Sequence, residues 1–469
     1  MYRETGYDEF FDEDLSGRNN TQQSAMKTLE GMPTYTRRIM LTGGAGFIGS
    51  VLVKKLVLNY PEYFILVIDK LDYCSSLSNL KPFLDLESGG PHSGARASPN
   101  PSFPNFMFLQ ADIIDAQAVE AALIQYQINT IIHLAAQTHV DKSFGESIDF
   151  TRNNVLGTHV MLEAARKIFG LNETTPMNGH MNGDPAPRFI FVSTDEVYGE
   201  VLFEESDSKE DAPLAPSNPY SATKAAAECM VQAYHKSFRL PVIITRSNNV
   251  YGPSQYPEKI FPKFIMNLLR EDPTLDFGTL GSGKCYIHGS GQHWRTYLYV
   301  TDAANALDVI LHRGEIGQVY NIGAGQELNN IELAQLLIHR MVMVKEEGQM
   351  ERGSHSSRES ASNTAHAHLQ SCDACASRIE FVEDRVFNDL RYAVDSTKLQ
   401  SLGWEPKVVF NEGIEKTIQW YRQNGSTWWG DIHGALYPHS IRQPPEPTTS
   451  RSPSLAHPTY PRISPTGPP

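Results

Sequence analysis

Two groups of side chains in this sequence are suited to proton chemistry. One is the triplet Thr194-Asp195-Glu196; the other is Tyr220 with Lys224 four positions on. The triplet offers a hydroxyl and two neighbouring carboxyls. When the environments of two such carboxyls differ, one can keep its proton and act as an acid while the other acts as a base. Tyr220 and Lys224 fall on one face if the segment is helical. A free phenol has a pKa of about 10, and making it a base at neutral pH requires about 4 kcal/mol of stabilisation. A lysine ammonium one turn away, with a second positive charge opposite, could lower it electrostatically. Tyr-x-x-x-Lys alone is a weak pattern and gains weight only from its surroundings.

Those surroundings are strands and helices in alternation. Phe189-Ile190-Phe191-Val192 reads as a buried parallel strand ending at Ser193, so the triplet projects beyond its carboxyl end. In open α/β sheets that is where ligands bind. Asn218-Pro219-Tyr220 leads into a helix of good helix formers, Ala225-Ala226-Ala227-Glu228. Earlier in the chain the strand Arg37–Thr42 meets Gly43-Gly44-Ala45-Gly46-Phe47-Ile48-Gly49 and then a helix from Ser50 to Leu58. Gly43 allows a tight turn, Gly46 lets a pyrophosphate approach the backbone, and Gly49 lets helix and strand pack closely. The helix N-terminus then offers free N–H groups to the phosphates.

The next strand, Tyr63–Ile68, ends at Asp69, about 20 residues beyond Gly46. A carboxylate there can accept both ribose hydroxyls and would repel a 2′-phosphate, so NAD is favoured over NADP although Lys70 follows. A strand Phe106–Leu109 ends at Asp112-Ile113, where an acid can bond an adenine amino group. A strand Thr130–His133 runs into the small-residue loop Leu134-Ala135-Ala136-Gln137-Thr138. His133 reads as a packed strand-end residue. With Ile243–Arg246 as a further strand, the expected fold is α/β: a Rossmann-like doubly wound parallel sheet with a smaller C-terminal substrate-binding region.

Composition sets bounds. The 469 residues carry a net charge of −14, which argues against non-specific nucleic-acid binding. No apolar run is long enough to span a bilayer, and the acidic N-terminus is unlike a signal peptide. Five cysteines, an odd and sparse set, indicate a reducing compartment and a cytoplasmic location. Cys372-Asp373-Ala374-Cys375 lacks a second pair, so no metal site is expected and the thiols read as incidental to a flexible insert. Asn172-Glu173-Thr174 reads as a chance glycosylation pattern.

The expected organisation is a disordered extension over 1–36, a nucleotide-binding domain with the catalytic residues over 37–250, a mainly substrate-binding region over 251–430 and a mostly disordered Pro-rich tail over 431–469. A helix is expected from Ile331 to Val344. Segments of about 86–104, 170–187, 271–283 and 346–378 read as surface insertions.

Taken together the motifs resemble the extended short-chain dehydrogenase/reductase family, and within it the dTDP-glucose 4,6-dehydratases. The carriers are Thr42–Gly49, Asp69-Lys70-Leu71, His133–Asp141, Ser193–Gly199, Tyr220 with Lys224, Asn248–Pro253, Tyr256–Lys259 and Trp294–Val300. The resemblance implies NAD held by Gly43, Gly46, Phe47, Ile48, Gly49, Asp69, Lys70, Asp112, Ile113, Leu134, Ala135, Ala136, Thr138 and Asn153, with Tyr220 and Lys224. It implies a nucleotide-sugar substrate held by Thr138, Thr194, Asn249, Arg295, Asn330 and Arg385. Tyr220, tuned by Lys224 and a positive nicotinamide, would take the C4 hydroxyl proton. Glu196 would take the C5 proton, and Asp195 would protonate the departing C6 hydroxyl. A homodimer is implied by the resemblance alone. Gln137 and Asn388 depart from the glutamate and histidine common in bacterial members. Two other readings stay open: an epimerase or decarboxylase of the same family, and a non-catalytic NAD-binding interaction protein.

Overall fold

A computed structural model describes residues 35–86, 97–169, 180–181, 184–270, 281–343 and 373–438. Cys372, Asn172, the first 34 residues and the tail beyond 438 lie outside the described residues, as do most of the segments read as insertions.

Seven strands form the central sheet: β1 (Arg37–Thr42), β2 (Tyr63–Asp69), β3 (Phe106–Gln110), β4 (Thr130–His133), β5 (Arg188–Thr194), β6 (Val242–Ser247) and β7 (Val319–Ile322). Their spatial order is β7-β6-β5-β4-β1-β2-β3, and every neighbouring pair is parallel. The order reverses direction between β1 and β4, which opens a crevice at the carboxyl ends of the strands. β7 comes from the part of the chain read as the substrate-binding region, so the sheet extends beyond residue 250.

Both faces of the sheet are covered, and the strands alternate between two cores. Ile39 and Leu41 of β1, with Ile65 and Val67 of β2, point to one face, where α1 (Phe47–Asn59) lies. Met40, Phe64, Leu66 and Ile68 point to the other, against α2 (Ala116–Gln125), α3 (Gly157–Ile168) and α4 (Pro219–Phe238). α5 (Val300–Arg313) joins α1 on the first face. A side-chain period of two in strands buried on both faces produces this division.

α1 begins at Phe47 rather than Ser50, because Gly46 already has the extended backbone of an N-cap. The helix expected over Ile331–Val344 starts at Asn330, capped by Asn329, runs to Ile338 and continues as a wider turn over His339–Met343. Tyr35 and Thr36 belong to the folded part: the Tyr35 hydroxyl donates to the Pro104 carbonyl, and the Thr36 amide donates to Glu62. Cys375 is buried in the short helix Asp373–Arg378, against the reading of that stretch as a flexible insert. The insertion read at about 86–104 contributes a strand, Ala97–Pro99, paired antiparallel with Leu84–Leu86. A short three-stranded sheet of Asn249–Tyr251, Trp294–Tyr299 and Glu327–Asn329 stands beside the carboxyl end of the main one. No helix among the described residues is long and apolar enough to cross a membrane.

Candidate active site

One cavity of about 360 Å³ runs from the glycine turn to the Thr194–Glu196 turn, and every residue singled out above as a site candidate lines it. At one end Gly43 has a left-handed backbone, φ +72°, and a Cβ added there would lie 2.8 Å from the Ala135 amide nitrogen. The turn and the Leu134-Ala135-Ala136 loop can therefore approach closely only without a side chain at 43. The first amides of α1, at Phe47, Ile48 and Gly49, have no intrahelical partner by geometry and receive no side-chain cap from Gly46. Asp69 is buried at the end of β2, where its carboxylate accepts from the Ala45 amide at 3.0 Å and the Leu71 amide at 2.8 Å. Burial nonetheless pushes its pKa above the ordinary carboxylate value. Lys70 is engaged locally, 3.2 Å from Asp72 and donating to Asn153 at 3.1 Å. Asp112 accepts from the Ile114 amide, which fixes its carboxylate at the rim. Together these residues fit a dinucleotide: a side-chain-free turn, helix amides for phosphates and an acid for ribose hydroxyls.

At the other end Thr194 closes β5, and Asp195–Tyr198 form a single tight turn. The Thr194 hydroxyl accepts from the Glu196 amide and lies 3.2 Å from Asp195 Oδ1. The two carboxyls sit in different environments. Asp195 is 3% exposed, and burial, then the neighbouring Glu196, push it up to about 7, against the lowering by the Asn248 amide at 2.8 Å. Glu196 is half-buried and accepts from Asn218 at 3.1 Å.

α4 begins with a reciprocal cap. Asn218 accepts the Ser221 amide, and the Ser221 hydroxyl accepts the Asn218 amide. Tyr220 and Lys224 follow on the face toward the cavity. Lys224 donates to the Val192 carbonyl at 2.7 Å and lies 4.3 Å from the centre of the Phe191 ring. Burial lowers its pKa to about 8, against the raising by Glu228.

Tyr220 departs from expectation. Burial, then the charges of Glu196 and Asp195, hold its phenol above the ordinary value, and only a hydrogen bond with Thr194 lowers it. Lys224 directs a hydrogen bond to a strand carbonyl, and the contact that lowers the phenol is the one with Thr194.

The remaining candidates meet the same cavity from the smaller region. Arg295 donates to the carbonyls of Trp294 and Asp389 and, at 3.3 Å, to Asn388 Oδ1. Arg385 is paired with Asp141, its Nε 2.5 Å from Oδ1. Asn249, Asn330 and the Thr138 loop complete the wall, with Lys259 donating to the Thr138 carbonyl. His133 lies behind it, bonded to Thr42 and Thr158 and held neutral with a pKa near 3 by burial. Asn218 and Asn248, which hold the two carboxyls, stand in segments quoted from the sequence but were given no site role there. Their signals were local: an Asn before Pro at a helix start, and an Asn at a strand end. Among the described residues, Ser193 Oγ, Asn248 Oδ1 and the Tyr297 hydroxyl are buried on this wall without a hydrogen-bond partner, which suits a polyhydroxylic ligand.

A family model described as GDP-mannose 4,6 dehydratase matches residues 40–417. The chain is 40% identical over 411 residues to the dTDP-D-glucose 4,6-dehydratase of Mus musculus, spanning 88% of this chain and 96% of that one. It is 43% identical over 411 residues to an Arabidopsis thaliana protein named as a trifunctional UDP-glucose 4,6-dehydratase, 3,5-epimerase and reductase. That match covers 87% of this chain and 50% of the plant protein, so the chain spans about half the length of those plant relatives. Among solved structures, DesIV, a dTDP-glucose 4,6-dehydratase from Streptomyces venezuelae with NAD and TYD bound, superposes with a TM-score of 0.63 at 31% identity. It covers 84% of this chain and 98% of that one. A UDP-glucose 4-epimerase from Thermotoga maritima, at 26% identity, gives 0.60 and covers 82% and 99%.

Proposed function

We propose, for a chain that belongs to the GDP-mannose 4,6-dehydratase family of extended short-chain dehydrogenases/reductases, that its reaction is the dehydration of a nucleoside-diphosphate glucose to the 4-keto-6-deoxy sugar. The observation that carries this reading is the pair Asp195 and Glu196 beside Tyr220, in a cavity that continues to a dinucleotide-type glycine turn. NAD is the cofactor that fits that end: Asp69 would meet the ribose, and the Gly43–Gly49 turn the pyrophosphate. When bound it supplies a reversible hydride acceptor and a positive charge close to the phenol.

The chain's own residues then divide the proton work. Tyr220 takes the proton of the C4 hydroxyl, with the Thr194 hydroxyl holding the same oxygen. Oxidation at C4 comes first, because the C5 hydrogen is acidic only next to a ketone. Glu196 removes that hydrogen as a proton. Asp195, whose pKa of about 7 lets it hold a proton near neutral pH, gives it to the departing C6 hydroxyl. The C5–H and C6–O bonds break and water leaves. The hydrogen taken from C4 is returned at C6 and a proton at C5, so the net change is loss of one water. Arg295, Arg385, Asn249, Asn330 and Thr138 form the wall suited to the sugar nucleotide.

A homodimer and a cytoplasmic setting complete the reading. Ile148 is 81% exposed, and Leu156 and Met230 line the same surface groove, an apolar face suited to a second copy. Sedimentation at about twice 52.4 kDa supports the dimer, and a mass near 52.4 kDa contradicts it. The sparse, odd set of cysteines supports a reducing compartment.

The enzymatic test uses the full chain with dTDP-glucose and, separately, UDP-glucose. A product lighter by one water, with a ketone at C4 and a methyl at C6, supports the reading. An isomer of unchanged mass inverted at C4, or no conversion, contradicts it.

A further inference from the structure

Asn218 joins two parts of the site through one side chain. Its Oδ1 accepts the Ser221 amide at 2.9 Å and so caps α4, the helix that carries Tyr220 and Lys224. Its Nδ2 donates to Glu196 Oε2 at 3.1 Å, on the turn that follows β5. Of the residues that cap helices well, asparagine alone offers an acceptor for the cap and a separate side-chain donor for a neighbouring carboxylate. Aspartate has acceptors only, and serine and threonine carry donor and acceptor on one oxygen rather than on two separate atoms. Stability of the helix would be served by any of them.

The residue is also held firmly. Asn218 is 5% exposed, and its backbone carbonyl accepts from both Ala222 N–H and the Ser221 hydroxyl. Next to it, the Ser217 hydroxyl donates to the buried carboxylate of Asp389, to which the Tyr392 hydroxyl also donates. The start of α4 is thereby fixed against the loop that carries Arg385 and Asn388.

We propose that Asn218 is a positioning residue for Glu196, fixing the carboxylate that takes the C5 proton relative to Tyr220. This rests on the dehydration reading above. A side-chain N–H donated to one carboxylate oxygen limits its rotamers and favours the charged form. Three titratable groups act on Glu196 from the elements around it: Asp195 on its own turn, Tyr220 on α4 and Tyr392 from the 390s loop. Arg295 lies beyond, 4.5 Å from the Tyr392 ring centre. The charge of Glu196 raises the pKa of all three, and the Asn218 amide donates directly to that carboxylate.

The test compares Asn218→Asp and Asn218→Ser in the full, NAD-loaded chain, since both keep the cap. Melting temperature is expected to stay close to that of the parent. Turnover is expected to fall about 10- to 100-fold in both, the scale for a misplaced reacting group. In Asn218→Asp the acid limb of the pH–rate profile should also move to higher pH, because a second carboxylate beside Glu196 favours its protonated form. Reduction of the bound cofactor on adding substrate should remain fast, and its reduced fraction at steady state should rise. Parental turnover and an unshifted acid limb in both variants would overturn the proposal. Equal slowing of cofactor reduction and of water loss, with the acid limb unmoved, would also overturn it, leaving Asn218 a helix cap only. If the parent forms no 4-keto-6-deoxy product, or Glu196→Gln matches the parent, the dehydration reading itself fails and takes this inference with it.

Discussion

Asn248 donates its side-chain amide to Asp195 Oδ2 at 2.8 Å, tying the end of β6 to the turn that follows β5. Asn248 is itself held from β7, where its backbone amide donates to Ile322. A Cβ at Gly323 would come within 2.6 Å of its Oδ1, so only glycine leaves room for it there. The carboxyl thus keeps one orientation although burial and Glu196 push its pKa up to about 7.

That environment sets a pH dependence. Protonated Asp195 is depleted as pH rises through about 7, so turnover limited by water loss should fall over that range. Asp195→Asn should flatten this alkaline limb and lower the rate by up to about 10² to 10⁴. Stability follows the same group. Its folded pKa lies above an unfolded value of about 4, so its favourable contribution is full below about 4 and is lost as pH rises through about 7. The melting temperature of Asp195→Asn relative to the parent should therefore rise from acid to mildly alkaline pH. A constant difference would contradict this.

Glu196→Gln should leave C4 oxidation possible and stop the next step. Adding substrate should give a reduced-cofactor absorbance that persists, with overall turnover down about 10² to 10⁴. Parental turnover in this variant would make the carboxylate structural.

Tyr220→Phe should do the reverse and prevent the reduced-cofactor signal from appearing. The phenol is buried, and its one hydrogen-bonded neighbour acting on its ionisation is Thr194, so the fold should tolerate the change. Persistence of fast cofactor reduction would remove Tyr220 from the C4 step.

Gly43→Ala tests the glycine end. A left-handed backbone at a non-glycine residue costs about 1–3 kcal/mol, and the added methyl meets the Ala135 backbone at 2.8 Å. Denaturant unfolding should show a loss of at least about 1 kcal/mol, and NAD should be lost on gel filtration. Unchanged stability and retained NAD would contradict the close approach.

Much of this architecture is local in the sequence. The strand–glycine turn–helix unit, Asp69 at a strand end and Lys224 one turn after Tyr220 are all set by neighbours a few residues apart. What was not legible is held by long-range partners. Asn218 and Asn248 reach carboxyls 22 and 53 residues away. Arg385, read as a substrate contact, is paired with Asp141, 244 residues earlier, which no local pattern announces. β7 is a four-residue strand that no local pattern distinguishes from the short strands of the smaller region. The ionisation of Tyr220 depends on burial and on where the Lys224 ammonium points, and neither is encoded in their spacing.

The most direct test of the dehydration account follows the hydrogen from C4. Incubate the chain in ordinary water with a nucleoside-diphosphate glucose carrying deuterium at C4, and locate the label in the product. The account predicts deuterium in the C6 methyl group, a ketone at C4 and hydrogen from solvent at C5. Deuterium retained at C4, in an inverted or unchanged sugar, would contradict it.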